Sequence, residues 1–177
     1  MGRLKNHAKE NVLGMESKMA QVRDKRPEES KIEQIYHVRP EHMNGADRLF
    51  GGRLLEWIDE AAGMVAIRHC EGDVVTAAID NLRFIRGAYK NDMVVVIAKM
   101  TYVGNTSMEV RVDSYVESLD GTRRPINRAY ILLVAVDKEG RPTKVPGLIL
   151  ENESERAEWE AGEKRRQMRA MRKEEGF

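Results

Sequence analysis

Apolar residues recur with a helical period in one part of the chain and with a strand period in several others. The stretch LFGGRLLEWIDEAAG, residues 49–63, repeats apolar side chains at intervals of three and four, which predicts one amphipathic helix. Strand-like runs are found at residues 31–38, 74–84, 93–103, 108–117 and 128–136. Because short turn-forming segments join the later strands, the pattern predicts an α+β fold with a largely antiparallel sheet.

The strand patterns also predict how the two faces of the sheet are covered. In residues 108–117 apolar side chains alternate with Glu109, Arg111 and Asp113, which predicts one face on the core and one face in water. Residues 129–136 are apolar at every position. Both faces of that strand should therefore be covered, one by the helix and the other by a second subunit.

The two ends of the chain are charged and contribute little to the predicted core. Residues 1–30 are interpreted as a peripheral arm, and residues 31–150 as a single domain. Residues 151–177 carry acids early and arginines late, the order that suits the dipole of a helix. A basic RNA-binding peptide is the alternative, but the interleaved glutamates favour a helix that is solvated or packed on the domain.

Composition narrows the classes of function. The 30 Lys and Arg residues balance the 29 Asp and Glu residues, so the net charge of +1 indicates neither nucleic acid nor an anionic membrane as partner. No run approaches the roughly 18 apolar residues of a membrane helix, and no signal peptide is recognised. The single cysteine, Cys70, allows no intrachain disulfide and has no metal-ligand spacing around it. We therefore expect a cytoplasmic protein that needs no metal.

One acidic residue of the predicted helix stands apart from the others. A rotation of about 100° per residue places Asp59 at the edge of the apolar face. The same rotation gathers the other charged residues on one stripe: Arg53, Glu56, Glu60 and Arg68. Partial burial makes a carboxylate a stronger base than one in open water, so Asp59 is a candidate general base. The alternative is that Asp59 is one more acid on the helix surface.

The start of the same helix offers no side chain that could cap it, because its first residues are Phe50, Gly51 and Gly52. The first backbone N–H groups are therefore available to a carbonyl oxygen that gains negative charge, and glycine lets a ligand approach them closely. The alternative is that the glycine pair only permits a tight start to a helix crowded by the sheet.

A resemblance to a known family rests on two longer segments, LFGGRLLEWIDEAAGMVAIRHC and VVTAAIDNLRFIRGAYKNDMVVVIAKMTYVGNTSMEVRV. They resemble the hotdog-fold acyl-CoA thioesterases, particularly the cytosolic acyl-CoA hydrolase group, and the similarity runs over residues 35–136. The resemblance implies a curved antiparallel sheet wrapped around one long central helix. It also implies hydrolysis of acyl-CoA to free CoA and a carboxylic acid, with CoA as part of the substrate and no other cofactor.

The resemblance also implies roles for individual residues. Asp59 has the position of the family's helix carboxylate, which acts as general base on water or as the nucleophile, and Gly52 is the candidate oxyanion donor. Substrate contacts are implied for a second glycine, a threonine, a serine and an arginine that would meet the CoA phosphates, namely Gly51, Thr76, Ser107 and Arg86. A solvated arginine at a strand end is the alternative for Arg86.

The chain departs from the family pattern at Arg48, where relatives often have Asn or Asp, and at Gly87, where a proline is common. Arg48 then either contacts phosphate or leaves an assisting group absent. The adjacent His69 and Cys70 point about 100° apart on a helix and form no catalytic pair. His42, in the loop before the helix, is also left out of the catalytic set.

Two other functions are compatible with this fold. A ligand-sensing module would bind acyl-CoA without cleaving it, but it would not need a poorly solvated acid beside the carbonyl. A hotdog dehydratase would use a histidine beside Asp59, and the helix has none there. Free edge strands and an apolar outer face predict a homodimer at minimum, and the family resemblance implies a trimer of dimers.

Overall fold

The computed structural model describes residues 23–176, in which a curved antiparallel sheet wraps around one long helix. The elements in chain order are α1 (Pro27–Ser30), β1 (Ile32–His37), a 3-10 turn (Pro40–His42), α2 (Gly51–Cys70), β2 (Asp73–Phe84), β3 (Met93–Val103), β4 (Ser107–Glu117), β5 (Arg123–Val136) and α3 (Glu153–Glu175). The strands follow the order β1-β3-β4-β5-β2, and every pairing is antiparallel. The predicted α+β hotdog architecture is confirmed.

Helix α2 supplies one layer of the core. Its buried face alternates alanines with larger residues at helical spacing, and the small side chains let the sheet approach closely. The buried apolar residues of α2 are Leu54, Trp57, Ile58, Ala61, Ala62, Val65 and Ala66. Val96 of β3, Val110 of β4 and Ile131 of β5 belong to the same core. The helix is therefore held by burial of its apolar face against the inner side of the sheet.

Helix α3 covers the outer face of the sheet, which corrects the prediction for residues 108–117. The side chains of Glu109 and Asp113 were expected in water, but the two residues are 0% and 8% exposed. Glu109 accepts hydrogen bonds from Arg165 of α3, and Asp113 accepts one from Arg128 of β5. The alternating pattern shows which residues are polar, but it does not show whether they are exposed. A carboxylate that is paired with an arginine can be buried, whereas an unpaired one cannot.

A glycine lets α3 lie close to the sheet. A Cβ on Gly162 would be 2.6 Å from the Cβ of Tyr102, so a larger residue would push the helix away. Trp159 packs on the ring of Tyr102 with centroids 4.6 Å apart, and the Arg165 guanidinium lies 3.6 Å from the ring centroid of Tyr130. The charged C-terminal segment is thus a helix packed on the domain. It also covers part of the β5 face that was predicted to meet a second subunit.

The segment before β1 lies against the segment that precedes α3. The Lys25 N–H donates to the Gly147 carbonyl oxygen, and the Ile149 N–H donates to the Lys25 carbonyl oxygen. Residues 1–22, most of the predicted arm, lie outside the described residues. Within residues 23–176, no helix combines the length and the apolarity that a membrane crossing requires.

A buried histidine near the end of α2 makes the stability of the fold depend on pH. The His69 imidazole is fully buried, and its Nε2–H donates to the Pro146 carbonyl oxygen 3.1 Å away. Burial lowers the pKa of His69 below its ordinary value of 6.5, and the nearby Lys25 acts in the same direction. In the unfolded chain His69 takes up a proton near pH 6.5, whereas in the folded chain it stays neutral until a lower pH. Folding is therefore favoured by the neutral form of His69. This contribution to stability is therefore complete above pH 6.5 and is lost as the pH falls toward the folded pKa.

We expect the free energy of unfolding to fall by up to about 1 kcal/mol as the pH drops from about 6.5 to about 5.5, since the unfolded chain binds the extra proton. Urea unfolding at one fixed protein concentration measures this change. His69→Gln keeps a donor for the Pro146 carbonyl but has no proton to gain, so its stability should stay level over the same range. An equal decrease in the variant would contradict the role of His69.

Candidate active site

Helix α2 begins without a side-chain cap, as the sequence predicts. Phe50 precedes it in an extended conformation, and its carbonyl oxygen accepts hydrogen bonds from the N–H groups of Arg53 and Leu54. Among the described residues, the N–H groups of Gly51 and Gly52 have no acceptor. They lie at the positive end of the helix dipole and are available to a carbonyl or anionic oxygen.

Two aromatic rings lie over these glycines. A Cβ on Gly52 would be 2.5 Å from the Phe50 ring, and a Cβ on Gly51 would be 3.3 Å from the Phe84 ring. Both phenylalanines are more than half exposed in the single chain. The rings therefore form an apolar border around the free amides, and the missing side chains of the glycines make room for it.

A cavity of ≈ 300 Å³ opens beside the start of α2. Its lining combines apolar side chains with two arginines, including Leu49, Leu54, Phe84, Arg48 and Arg86. Gly51 lines the cavity, whereas Gly52, the predicted oxyanion donor, does not. The structure thus brings Gly51 and Arg86 to one cavity and adds Arg48 to it.

The carboxylate of Asp59 is held by a threonine of the neighbouring strand. The Thr76 hydroxyl donates a hydrogen bond of 2.7 Å to Asp59 Oδ1. Asp59 is half-buried, in agreement with its predicted place at the edge of the apolar face. In the described part of the chain, Asp59 Oδ2 accepts no hydrogen bond, so one carboxylate oxygen is fixed and the other can accept a proton.

The free amides at the start of α2 and the Asp59 carboxylate lie far apart within one chain. Gly52 and Asp59 are seven positions apart, which corresponds to about 10 Å along a helix axis. A carbonyl carbon bound at the first turn is therefore beyond direct attack by the Asp59 carboxylate of the same chain. Within one chain, the cavity and the Thr76–Asp59 pair are therefore two separate features.

Ser107, a predicted substrate contact, is not brought to the cavity. It begins β4 directly after the turn from β3, where its carbonyl oxygen accepts a hydrogen bond from the Gly104 N–H. Its partner in β5 is Val134, which in turn pairs with Val75 near the start of β2. The cavity lies at the opposite end of β2, beside Phe84.

Asn44 is a cavity residue that the sequence analysis did not select. Its Oδ1 accepts hydrogen bonds from the Ala46 and Arg48 N–H groups, which forms a compact turn ahead of α2. The turn places Asn44 in the lining of the cavity together with Arg48. At the position where the family pattern places an assisting residue, the sequence has Arg48. An asparagine followed by glycine before a helix was the signal for this turn.

The histidine and cysteine left out of the catalytic set make structural contacts. His42 packs edge-on against the Trp57 ring with centroids 5.3 Å apart, and its Nδ1 accepts the Arg39 N–H. Burial raises the pKa of the Cys70 thiol, which disfavours the reactive thiolate. Neither residue lines the cavity.

Sequence comparison identifies the family. Residues 47–120 match the Thioesterase superfamily. The chain is 37% identical over 128 residues to an uncharacterized acyl-CoA thioester hydrolase of Bacillus subtilis, a match that covers 72% of this chain and 74% of that protein. The chain belongs to the acyl-CoA thioester hydrolases. Another acyl-CoA thioester hydrolase, the cytosolic one of Rattus norvegicus, is 34% identical over 143 residues, which are 78% of this chain and 37% of that longer protein.

Solved structures of other acyl-CoA thioester hydrolases share the fold. An acyl-CoA hydrolase from Staphylococcus aureus, in complex with butyryl coenzyme A and coenzyme A, has a TM-score of 0.80 and 31% identity over 85% of this chain and 92% of its own. A hexameric acyl-CoA thioesterase has a TM-score of 0.80 and 33% identity over 84% of this chain and 97% of its own. Three further structures of the Staphylococcus aureus hydrolase carry alanine in place of an aspartate, an asparagine and a threonine.

Proposed function

We propose that this acyl-CoA thioester hydrolase cleaves its substrate with Asp59 as general base or nucleophile. The observation that carries this proposal is the hydrogen bond from Thr76 to the half-buried Asp59 carboxylate, on a helix whose first amides are free. As general base, Asp59 takes a proton from water, the water oxygen bonds to the thioester carbon, the carbon–sulfur bond breaks, and the proton passes to the CoA sulfur. As nucleophile, Asp59 bonds to the thioester carbon and CoA leaves, taking up a proton from water. A second water then cleaves the resulting anhydride to the carboxylic acid and restores Asp59.

Residue spacing in the Staphylococcus aureus hydrolase supports these roles. Its substituted asparagine precedes the substituted aspartate by 15 residues, and the substituted threonine follows the aspartate by 17 residues. Asn44, Asp59 and Thr76 have the same two intervals in this chain. We therefore add Asn44 to the proposed site as a polar group that faces the substrate from the cavity.

The free amides and the arginines have separate roles in this proposal. The N–H groups of Gly51 and Gly52 bind the thioester oxygen and stabilise the negative charge that it gains during attack. Arg48 and Arg86, which line the adjacent cavity, supply positive charge for the CoA phosphates. No metal takes part in these steps as we propose them.

We infer that the complete site lies between two copies of the chain. Strand β2 is an edge of the sheet, so a second β2 can pair with it. The exposed apolar side chains of β2, α2 and their adjoining residues include Phe50, Met64, Ile67, Val75, Phe84 and Ile85. A second copy would cover them and bring its free amides toward Asp59. The proposed assembly is a homodimer at minimum and a trimer of dimers when complete.

Mixing two inactive variants tests the shared site. In a random mixture of Asp59→Asn and Gly52→Pro chains, half of the dimers combine one chain of each kind, and each such dimer has one intact site and one doubly defective site. Activity should therefore return to about one quarter of the wild-type level after the chains exchange. Each variant exchanged with itself is the control and should keep only its own residual activity, about 1% of wild type or less. A mixture as inactive as its components would contradict a site shared between chains.

The proposed activity is tested by release of CoA thiol from short, medium, long and aromatic acyl-CoA substrates. A catalytic chain should release thiol with saturation kinetics from at least one of these classes. Binding of acyl-CoA with no release from any class would contradict hydrolysis and favour the ligand-sensing module. Equilibrium binding of a non-cleavable thioether analogue, measured in parallel, distinguishes that outcome from the absence of binding.

A further inference from the structure

Strand β2 carries Thr76 at an edge of the sheet where the backbone pairing is interrupted twice. Register shifts lie between Thr76 and Ala78 and between Asp80 and Arg83, so residues 78–80 pair with β5 between two irregularities. In the described chain, the other side of β2 has no paired strand. Within one chain, the interrupted pairing with β5 therefore fixes this part of the strand less firmly than a continuous ladder would, and the proposed pairing with a second β2 can add only backbone hydrogen bonds at the other side.

Charged side chains of α3 hold the same segment from the outer face. Asp80 is almost fully buried. Its carboxylate accepts a hydrogen bond of 2.6 Å from Arg169 and one of 2.8 Å from Arg172. Charge-assisted pairs of this length, with one partner shielded from water, are stronger than exposed ion pairs. They join the edge strand to a helix that is itself packed on the sheet.

Arg169 also ties β2 to the centre of the sheet. The nitrogen that contacts Asp80 donates to Glu109 of β4 at 3.0 Å, and Arg165 donates to Glu109 at 2.8 Å. Glu109 is fully buried and accepts a further hydrogen bond of 2.9 Å from the Thr101 hydroxyl. Because β5 lies between β4 and β2, the Arg169 side chain links two strands that are not neighbours.

We propose that Asp80 is a positioning residue, which keeps Thr76 in hydrogen-bond contact with Asp59 because Arg169 and Arg172 anchor it to α3. Thr76 contacts α2 on the inner face, and Asp80 contacts α3 on the outer face, four positions further along the strand. A shift of β2 after loss of the outer contacts therefore displaces the Thr76 hydroxyl. The inference rests on the proposed role of Asp59, and it makes the C-terminal helix a determinant of turnover.

A double-mutant cycle tests this positioning. Asp80→Asn keeps the shape and removes the charge, and it should lower kcat about tenfold while KM changes by less than about twofold. In a Thr76→Val background, the same substitution should change kcat by less than about twofold, because its effect passes through Thr76. Asp80→Glu should restore part of the kcat. Glu158→Gln is the matched control: it removes the charge of an α3 carboxylate that pairs with Arg111 of the sheet, and it should keep wild-type kcat.

Hydrogen exchange gives a readout that does not depend on catalysis. In Asp80→Asn, the amides of residues 76–80 should exchange about tenfold faster, while those of β3 keep their rates. Arg172→Gln is the second variant if Asp80→Asn does not fold, because this half-exposed side chain has Asp80 as its hydrogen-bond partner. Unchanged exchange in residues 76–80, or additive losses of kcat in the cycle, would overturn the proposal. A wild-type chain without thioesterase activity would contradict the proposed function, and the exchange measurement would still decide whether Asp80 fixes β2.

Discussion

Replacement of Asp59 by asparagine is expected to lower kcat for acyl-CoA hydrolysis by about 10³-fold with little change in KM. The amide oxygen of asparagine can still accept the Thr76 hydroxyl, so the local geometry is kept. The amide takes no proton from water and is not a nucleophile, so the chemical step loses the group that drives it. Release of CoA thiol at saturating substrate measures the loss.

Glu60→Gln is the matched control for that substitution. Glu60 is the next acid on the same helix, is exposed, and loses the same charge in the variant. Its kcat should stay within about twofold of wild type. Near-normal turnover in Asp59→Asn would show that the assignment is wrong. In the wild-type chain, a single turnover in water labelled with heavy oxygen tests the nucleophilic route, since label in the Asp59 carboxylate marks an anhydride that water opened at the aspartyl carbonyl.

Gly52→Pro should lower kcat by about 10²-fold, because it removes one of the two free N–H groups at the start of α2. Proline is tolerated in the first turn of a helix, where the N–H has no partner within the helix. The preceding Gly51 has no Cβ to clash with the proline ring. The change therefore deletes the donor and retains the helix, which circular dichroism checks.

Gly52→Ala adds a side chain but keeps the backbone N–H. It therefore distinguishes the effect of losing the hydrogen-bond donor from the effect of filling the space beside Gly52. Its Cβ would meet the Phe50 ring at 2.5 Å, but this ring is more than half exposed and is free to turn aside. Because the alanine keeps its N–H, kcat should fall by less than about threefold. Equal kcat in Gly52→Pro and Gly52→Ala would exclude Gly52 as the donor. Gly51→Pro then becomes the decisive variant, since Gly51 lines the cavity and Phe50 has the extended conformation that a following proline requires.

Local periodicity predicted the fold wherever one element buries a single face. The helical pattern around Asp59 agrees with the structure, because burial of one face of α2 imposes the period directly. The run that became β3 was recognised by its apolar content instead, since residues on both of its faces are buried. The start of β5 was predicted at residue 128 and lies at Arg123. Polar residues at the start of that strand pair with acids such as Glu117, so the strand continues where no apolar pattern marks it.

The candidate site was predictable in part, for a physical reason. Asp59 and the glycine pair lie in one continuous helix, so their geometry follows from the sequence and a helical wheel. Asn44 could not be selected this way, because its place in the cavity depends on the fold of a turn. The contact between Arg169 and Asp80 joins residues 89 positions apart, and no local period reports such a pair.

The charge pairs under α3 decide where this protein can be shortened. A chain that stopped near residue 150 would keep all five strands and the central helix, but it would leave Glu109 and Asp80 without their arginines. Loss of α3 would also uncover the apolar surface on which it packs, including Tyr102, and would release the ion pairs that hold β2 to the helix. A C-terminal affinity tag therefore belongs beyond Glu175, and the last helix must accompany the domain in any fusion or transplant.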